Sequence, residues 1–307
     1  MMVNSVISKN SEILFLYEAK NANPNGDPDD ENRPRMDPKT RRNFVSDVRL
    51  KRYFRDYAAS KLGENHVWVV KPGGRTVDAT ERFAQFGNDP RRVLSECIDA
   101  RLFGVTIPKR SEEAGERGQS YAYTGPVQFS WGFSLHPVDL MDSRSITSEF
   151  SATVTGYGTI GKDYRVYYSL IAFYGAVSAR RARDTGATEE DLMRLDNWLW
   201  DALVTETITR SKIGQRPLLY LRAEYGRPED MMGDLRRFIA VNWNEPVRDI
   251  SDVRLDFSEL ASRLKAADAI DAIYLRCADD FSACGQLRGQ LGTSKVRPLP
   301  HGERKPR

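Results

Sequence analysis

The sequence predicts an α+β fold, and three observations support this class. Runs rich in strand formers alternate with amphipathic helical segments along the 307 residues, 40% of the residues are hydrophobic, and 29% are charged. This is the balance of a globular protein with a buried core, which excludes disorder throughout the chain. No apolar run approaches the roughly 20 residues that cross a bilayer, which excludes a membrane-spanning protein.

The first strand and the first helix lie close together in the sequence. The apolar run Ile13–Ala19 is typical of a strand, and a loop dense in Asn, Pro, Gly and Asp follows it. The segment after Ser46 predicts a helix, because Ser46 is a good N-cap and apolar residues repeat on one face up to residue 58. Arg49 and Arg52 lie on another face at i, i+3 spacing.

Three further strands and one helix complete the pattern. Alternating apolar residues predict a strand at 126–135, strand formers fill 164–174, leucines repeat along a helix at 188–207, and a last strand covers 218–225. The resulting β-α-β-β-α-β order is that of the ferredoxin-like fold, which RNA-recognition modules also use. Beyond Gly226 only a helix near 257–271 is predicted.

Positive charge is concentrated in two segments, although the net charge is only +3. Residues 33–55 contain nine basic residues against two acidic ones, and residues 288–307 contain six against one. Charge runs of this kind are either solvated surface or nucleic-acid-binding patches. We expect the second run, with its Gly, Pro and Ser, to be a flexible basic tail.

Cysteine and histidine are scarce. Cys97, Cys277 and Cys284 form no C-x-x-C pair, so we expect reduced structural thiols, and the three histidines show no zinc-site spacing. The first ten residues lack the pattern of a secretory signal. We therefore expect a cytoplasmic protein without a cofactor, a metal site or a membrane partner.

One glycine motif suggests a nucleotide site but has the wrong context. Gly156, Gly158 and Gly161 fit G-x-G-x-x-G, yet a predicted strand rather than a helix follows them. Without a helix N-terminus the site lacks the group that binds a pyrophosphate, and the kinase motifs are absent as well. We interpret the glycines as part of a hairpin, with Lys162 and Arg165 available for phosphate.

A cluster of acids follows the first strand. Asp27, Asp29, Asp30 and Glu31 occupy one turn-rich loop. Clustered carboxylates can hold Mg²⁺ for phosphodiester cleavage, but acids in such a loop more often cap turns. A metal-dependent ribonuclease is therefore kept as the alternative function.

The loop before the fourth strand, T-R-S-K-I-G-Q-R-P at 209–217, is the better candidate for phosphate contact. It combines Arg210, Lys212 and Arg216 with Gly214, where backbone N–H groups can approach an oxygen closely. A solvated helix-to-strand connection is the alternative interpretation of this loop.

Five segments taken in order resemble one family. They are N-A-N-P-N-G-D-P-D-D-E-N-R-P-R-M-D at 21–37, S-D-V-R-L-K-R-Y-F-R-D-Y at 46–57, L-F-G-V at 102–105, T-G-P-V-Q-F-S-W-G-F-S-L-H-P-V at 124–138 and S-K-I-G-Q-R-P at 211–217. Together they resemble the crRNA-binding backbone subunit of type I CRISPR Cascade complexes, in the RAMP superfamily. The type I-B branch is the most similar and I-C is next.

The resemblance implies an architecture and a set of partners. The architecture is a modified ferredoxin-like, RRM-like palm at 11–60 and 123–287, a helical fingers insertion at 61–122, and a thumb hairpin at 140–163, with the basic tail at 288–307 outside the resemblance. Copies are expected to form a helical filament along one crRNA and to display its bases for pairing with target DNA. The other expected partners are the large and small Cascade subunits, the guide 5′-end subunit and the guide-processing endoribonuclease.

The resemblance implies no catalytic role in type I systems. Type III relatives cut target RNA with an aspartate in the loop after strand one, so Asp27 keeps the ribonuclease alternative open. A passive scaffold without RNA affinity is a third class. Guide binding must be independent of sequence, so its contacts belong on phosphate and sugar rather than on base edges. The sequence also lacks an RNP1 signature, and stacking of bases on strand aromatics is not expected.

The candidate RNA-binding residues come from the resemblance and from the two basic loops. They are Asn23, Asn25, Gly26, Ser46, Arg49, Arg52, Lys162, Arg165, Ser211, Lys212, Gly214, Gln215 and Arg216.

Overall fold

A computed structural model describes residues 5–108, 120–141, 144–148 and 159–299. The helices are α1 Asp47–Leu62, α2 Ala79–Gln85, α3 Pro90–Glu96, α4 Ile98–Phe103, α5 Ala179–Thr185, α6 Glu189–Thr205, α7 Ser258–Ala266 and α8 Ser282–Leu291. Within these ranges no helix is both long enough and apolar enough to cross a membrane.

The strands are β1 Asn10–Ala22, β2 Gly26–Asp27, β3 Arg33–Pro34, β4 Phe44–Val45, β5 Gly104–Pro108, β6 Ser120–Thr124, β7 Val127–Phe129, β8 Gly132–Ser134, β9 Arg144–Ser148, β10 Thr159–Asp163, β11 Val166–Val177, β12 Gln215–Tyr225, β13 Ala240–Trp243, β14 Val253–Asp256, β15 Ile270–Cys277 and β16 Val296–Pro298. Together with the helices they confirm the α+β class.

The central sheet has the strand order β16-β15-β12-β1-β11-β8-β4, and β7 also pairs with β11. All of these pairs are antiparallel except β15 with β16. Strand β1 is buried on both faces. Phe15 and Tyr17 pack with residues of α1 and α6 in one apolar cluster, and Leu14 and Leu16 pack with residues of α7 and α8 in the other. Helices therefore cover both faces, and strand β1 is the middle of the molecule.

The six predicted core elements are present, with altered ends. Ser46 is the N-cap of α1, and its Oγ accepts from the N–H of Arg49 at 3.2 Å. Thr188 caps α6 in a capping box with Asp191. The predicted second strand is split into β7 and β8, because its register against β11 shifts by one residue between Phe129, which pairs with Gly175, and Phe133, which pairs with Ala172.

The region after Gly226 contains far more regular structure than the single helix predicted from the sequence. Besides α7 it holds β13, β14, β15, α8 and β16. The prediction of a flexible tail from 288 is wrong up to residue 299, because α8 runs to Leu291, β16 joins the sheet and Leu299 is buried. The apolar side chains that lie between the cations in the sequence pack this segment onto the rest of the protein. The remaining tail, 300–307, lies outside the described residues.

Segment 61–122 is also more regular than expected. In place of one helix near 91–102, the chain forms α2, α3 and α4 and the antiparallel pair β5 and β6. Trp68, Phe83 and Val93 belong to an apolar cluster that is separate from the two that contact the sheet. In the expected 140–163 hairpin, β9 pairs antiparallel with β10, while 142–143 and 149–158 lie outside the described residues. The first two glycines of the G-x-G-x-x-G motif fall in that second gap.

The expectation of three reduced cysteines is wrong for one pair. Cys277 at the end of β15 forms a disulfide with Cys284 in α8, because the chain reverses between them and brings their Cα atoms to 5.9 Å. The separation of seven residues resembles no known motif, so the sequence alone did not indicate the bond. Cys97 is a buried thiol, and burial raises its pKa to about 12.

A buried ion pair links α6 to the sheet. The guanidinium of Arg222 on β12 lies 2.7 Å from a carboxylate oxygen of Asp196, and both side chains are almost completely buried. Asp196 also accepts a hydrogen bond from the hydroxyl of Tyr220 at 2.6 Å. A buried charge is tolerated only with such partners, so the pair fixes how α6 lies on the sheet.

We predict that Asp196→Asn destabilises the protein by about 3 kcal/mol, because it leaves the buried Arg222 charge with only the longer contact to Glu224, at 3.4 Å, as a counterion. The free energy of unfolding in urea measures this loss. Asp184→Asn is the matched control, since Asp184 is exposed and makes no ion pair among the described residues, and its effect should stay within about 0.5 kcal/mol. A loss below about 1 kcal/mol for Asp196→Asn would contradict the assignment.

Candidate nucleic-acid interface

An open cavity of about 570 Å³ lies where the end of β1 meets the start of α1. The segment between β10 and β11 and the turn before β12 close its other sides. Among the described residues it is the cavity around which the predicted site residues gather: Asn23, Asn25, Gly26, Arg49, Lys162, Ser211 and Lys212 all line it. We call it the basic cavity.

The turn before β12 is docked edge to edge against the end of β1. The N–H of Lys20 donates to the carbonyl of Gly214 at 2.8 Å, and the N–H of Asn23 donates to the carbonyl of Ser211 at 2.7 Å. Gly214 has φ of 104°, and a Cβ at this position would lie 2.1 Å from the carbonyl oxygen of Lys20. Only glycine allows this approach, which places Ser211 and Lys212 at the cavity.

The loop after β1 supports the start of α1. The side-chain oxygen of Asn25 accepts hydrogen bonds from the N–H of Ser46 at 2.9 Å and from its hydroxyl at 3.1 Å. Ser46 in turn caps the helix through the N–H of Arg49. Asn25 and Ser46 thus act mainly by fixing the first turn of α1, from which Arg49 reaches the cavity.

Arg49 is a cation without a counterion in the described part of the chain. Its guanidinium stacks on the ring of Tyr53 with 4.2 Å between the guanidinium carbon and the ring centroid. Its Nε is buried and has no hydrogen-bond partner there. The side-chain oxygen of Asn23, which is 5% exposed, has none either. Nine buried side-chain atoms of the described residues lack a hydrogen-bond partner, and two of them belong to residues that line this cavity.

Lys212 is held at the same place. Its Nζ donates to the carbonyl of Asn23 at 2.5 Å. Burial of the ammonium group and the nearby charge of Arg49 lower the pKa of Lys212 to about 7. The cavity therefore contains Arg49, a cation with no carboxylate partner among the described residues, and Lys212, an amine whose pKa lies near neutral pH.

Four predicted cations, Arg52, Lys162, Arg165 and Arg216, are paired with carboxylates. Arg52 pairs with Asp56 at 2.8 Å on the surface of α1. Arg216 pairs with Glu18 at 2.9 Å and Asp280 at 2.6 Å. Neither lines the basic cavity. Arg216 thereby links β12 to β1 and to the loop before α8, whereas the Arg52 pair lies within α1.

Arg165 is also one of these paired cations. It pairs with Asp163 at 2.8 Å and donates to the carbonyls of Asn21 and Arg210. Its guanidinium thereby ties the β10–β11 segment to both neighbouring loops. Gln215 is buried and hydrogen-bonded to Tyr53 and to the carbonyl of Lys212, so it supports the cavity from behind.

Several lining residues were not among the predicted set. They are Asn32, Asp163, Tyr164, Thr209 and Arg210. Arg210 belongs to the basic loop already singled out, and Tyr164 follows the predicted Lys162 by two positions. Asn32 carries no sequence signal of its own, because it reaches the cavity through its backbone: its carbonyl accepts from the amide of Asn23 at 2.6 Å.

The acidic loop is satisfied by neighbouring cations and turns. Asp27 accepts from Arg35 at 3.0 Å and from the N–H of Asp29 at 3.2 Å. Glu31 pairs with Lys162 at 2.6 Å, and this contact lowers the pKa of the Glu31 carboxyl. Across the described ranges no three His, Cys, Asp or Glu side chains are grouped so that they could hold a metal ion.

A second exposed feature lies at the edge of the sheet. Phe44 on β4 and Trp131 beside β8 are stacked, with ring centroids 5.4 Å apart, and Trp131 is 47% exposed. Phe133 lies next to Phe44 and is also exposed. Base stacking on strand aromatics is not expected from the sequence. These exposed rings nevertheless form the alternative surface to the basic cavity for binding RNA.

The first comparison, with a solved structure, concerns the fold. The folded chain resembles a solved protein of a "CRISPR RNA-guided surveillance complex", with a TM-score of 0.52, 15% identity and coverage of 94% of both chains. At this identity the likeness concerns the fold.

The sequence then shows the family. Residues 9–258 match the family described as CRISPR-associated protein Cas7. A curated relative from Haloferax volcanii, "CRISPR-associated protein Cas7", is 33% identical, and the alignment covers 94% of this chain and 90% of the relative. The chain belongs to the Cas7 family, which confirms the family expected from its sequence.

We predict that Gly214→Ala costs more stability than Gly63→Ala. Both glycines have positive φ, near 104° and 94°, but a Cβ at Gly63 meets nothing within 4 Å. Gly63→Ala should cost about 1–3 kcal/mol of backbone strain, and Gly214→Ala at least about 2 kcal/mol more, because it also clashes with strand β1. Urea unfolding of both variants measures the difference. Equal losses would show that the turn is not docked in this way.

Proposed function

We propose that this protein binds CRISPR guide RNA independently of sequence, as the repeating backbone subunit of a type I Cascade complex, and that the basic cavity holds the guide's phosphates. Membership of the Cas7 family supports the class. The choice of the basic cavity as the site rests on Arg49 and Lys212. Both face this cavity, and neither has a carboxylate partner among the described residues. Phosphate is the anion that nucleic acid offers to such a pair.

The choice of RNA rests on membership of the Cas7 family and on likeness to a protein of an RNA-guided complex. Contacts to phosphate and ribose carry no base information, which suits a subunit that must accept any guide. The bases are then left available for pairing with target DNA.

The proposed architecture is a ferredoxin-like palm of β1, α1, β7/β8, β11, α6 and β12. The order β12-β1-β11-β8 supports it, because the first strand lies between the fourth and the third. We further propose that 61–122 acts as the fingers and 140–163 as the thumb that contacts the next copy along the filament. The same proposal includes assignment to the type I-B branch, with target DNA and the other Cascade subunits as partners. These parts rest on the sequence motifs.

Replacing Arg49 tests the site. Arg49→Ala should weaken binding to all single-stranded RNA sequences alike, and should reduce the slope of log affinity against log salt by about 0.7, the value of one phosphate contact. Fluorescence anisotropy across a salt series measures both quantities.

Arg52→Ala is the matched control. It removes one positive charge from the same helix, but from a side chain already paired with Asp56. We expect a clearly smaller effect on affinity and slope. Equal effects of the two variants, or a loss at Arg49 confined to particular sequences, would refute the cavity as the phosphate site.

We propose that the subunit is not a nuclease. The alternative, a metal-dependent activity of the type III kind, requires acids that converge on a metal. Asp27 instead accepts from Arg35 and from its own turn. This is the role of an acid that stabilises a loop.

A cleavage assay tests this part directly. Protein with guide and complementary RNA or DNA, supplied with Mg²⁺ or Mn²⁺, should yield no product above a control containing EDTA. Asp27→Ala should leave RNA affinity within a few-fold. Regularly spaced cleavage that Asp27→Ala abolishes would establish the type III style of activity instead.

A further inference from the structure

Lys212 is unusual among the cations of this protein because it faces other cations. Its ammonium donates to one carbonyl, that of Asn23, and no carboxylate of the described residues lies within ion-pair distance. The charged and titratable groups that line the cavity with it are Arg49 from α1, Lys162, Asp163 and Tyr164 from the β10–β11 segment, and Arg210 from its own turn. Tyr53 lies beneath the guanidinium of Arg49.

The acids near the cavity are already neutralised. Asp163 is paired with Arg165, and the charge of Lys162 is balanced by Glu31. Arg49 keeps its full charge, since a guanidinium does not lose its proton in proteins. A proton on Lys212 is therefore placed in a half-buried site next to an uncompensated positive charge, and this favours the neutral amine when the cavity holds no anion.

A phosphodiester in the cavity reverses this balance. Its negative charge within a few ångströms favours the ammonium form, as any close counterion does. We propose that the basic cavity takes up one proton with each guide phosphate that it binds, and that Lys212 receives this proton. The inference rests on the proposed function, because the bound anion is the guide's phosphate.

The proton linkage has a definite sign. The pKa of Lys212 is about 7 in the unbound protein, and the phosphate raises it. Below about pH 7 the lysine is already charged and the affinity should be at its maximum. As the pH rises above 7, binding must first recruit a proton, so the affinity should fall until the pH reaches the pKa of the bound state.

The first experiment measures the dissociation constant of a short fluorescein-labelled oligouridine at fixed ionic strength. Between about pH 6.5 and about pH 8.5 the wild-type constant should rise at least about tenfold. Lys212→Arg keeps a permanent charge at the same place, so its constant should change less than about twofold. Every other titratable group is identical in the two proteins, so the difference reports on Lys212.

The second experiment needs no variant. Isothermal titration calorimetry of wild type with the same RNA near pH 8, in HEPES and in Tris, gives the number of protons taken up from the difference in buffer ionisation enthalpy. Uptake close to one proton for each protein molecule bound supports the proposal. If Lys212→Arg fails to fold by circular dichroism, Lys212→Gln replaces it and should bind weakly with uptake near zero.

The outcomes separate this inference from the function on which it rests. RNA binding that is independent of pH, with no proton uptake, would overturn the role of Lys212 and leave guide binding intact. The same pH dependence in Lys212→Arg and in wild type would assign the proton to another group and overturn the inference as well. Absence of RNA binding at every pH would refute the proposed function itself.

Discussion

The contact between the last residues of β1 and the turn before β12 is the constraint on which the site depends. Two backbone hydrogen bonds hold the turn against the strand, and Gly214 permits an approach that a Cβ would block. Because β1 is the middle strand of the sheet, it is paired on both sides up to its last residues. The turn is bonded to this strand end, and Lys212 is therefore positioned by contacts to the sheet.

The cations around this contact divide according to their partners. Those that meet a carboxylate, such as Arg165 and Arg216, join elements that are distant in sequence and so stabilise the architecture. Arg49 meets an aromatic face instead, and Lys212 meets a carbonyl. Cations without a counterion are costly in a half-buried position, and a protein keeps them where a ligand supplies the missing charge. The same unpaired state underlies both proposals, phosphate binding in the basic cavity and proton uptake by Lys212.

Local sequence signals were sufficient for the six core elements. Ser46 and Thr188 are caps recognisable from residue type and spacing, and the buried faces of α1 and α6 follow the helical repeat. Strand β15 shows that such a signal can be overlooked, since I-D-A-I-Y-L-R-C is rich in strand formers. The Cys277–Cys284 disulfide had no recognisable signal, because it depends on how α8 turns back towards the sheet.

The candidate site was predictable in composition but not in detail. The basic loops and the Asn-rich loop indicated where phosphate contacts belong. Tertiary neighbours decide which cations remain unpaired. Arg216 pairs with Glu18, 198 residues away in the sequence, and no local pattern near Arg216 predicts that partner. Asn32 was not predicted as a cavity residue for a related reason, since a backbone carbonyl has no sequence signature.

The most direct test of the central claim is an electron cryo-microscopy structure of the protein assembled on a guide RNA. The account predicts a backbone phosphate oxygen within about 4 Å of both the guanidinium of Arg49 and the Nζ of Lys212, in each copy along the RNA. An RNA path that leaves the basic cavity empty and instead stacks bases on the exposed rings of Trp131 and Phe133 would contradict it.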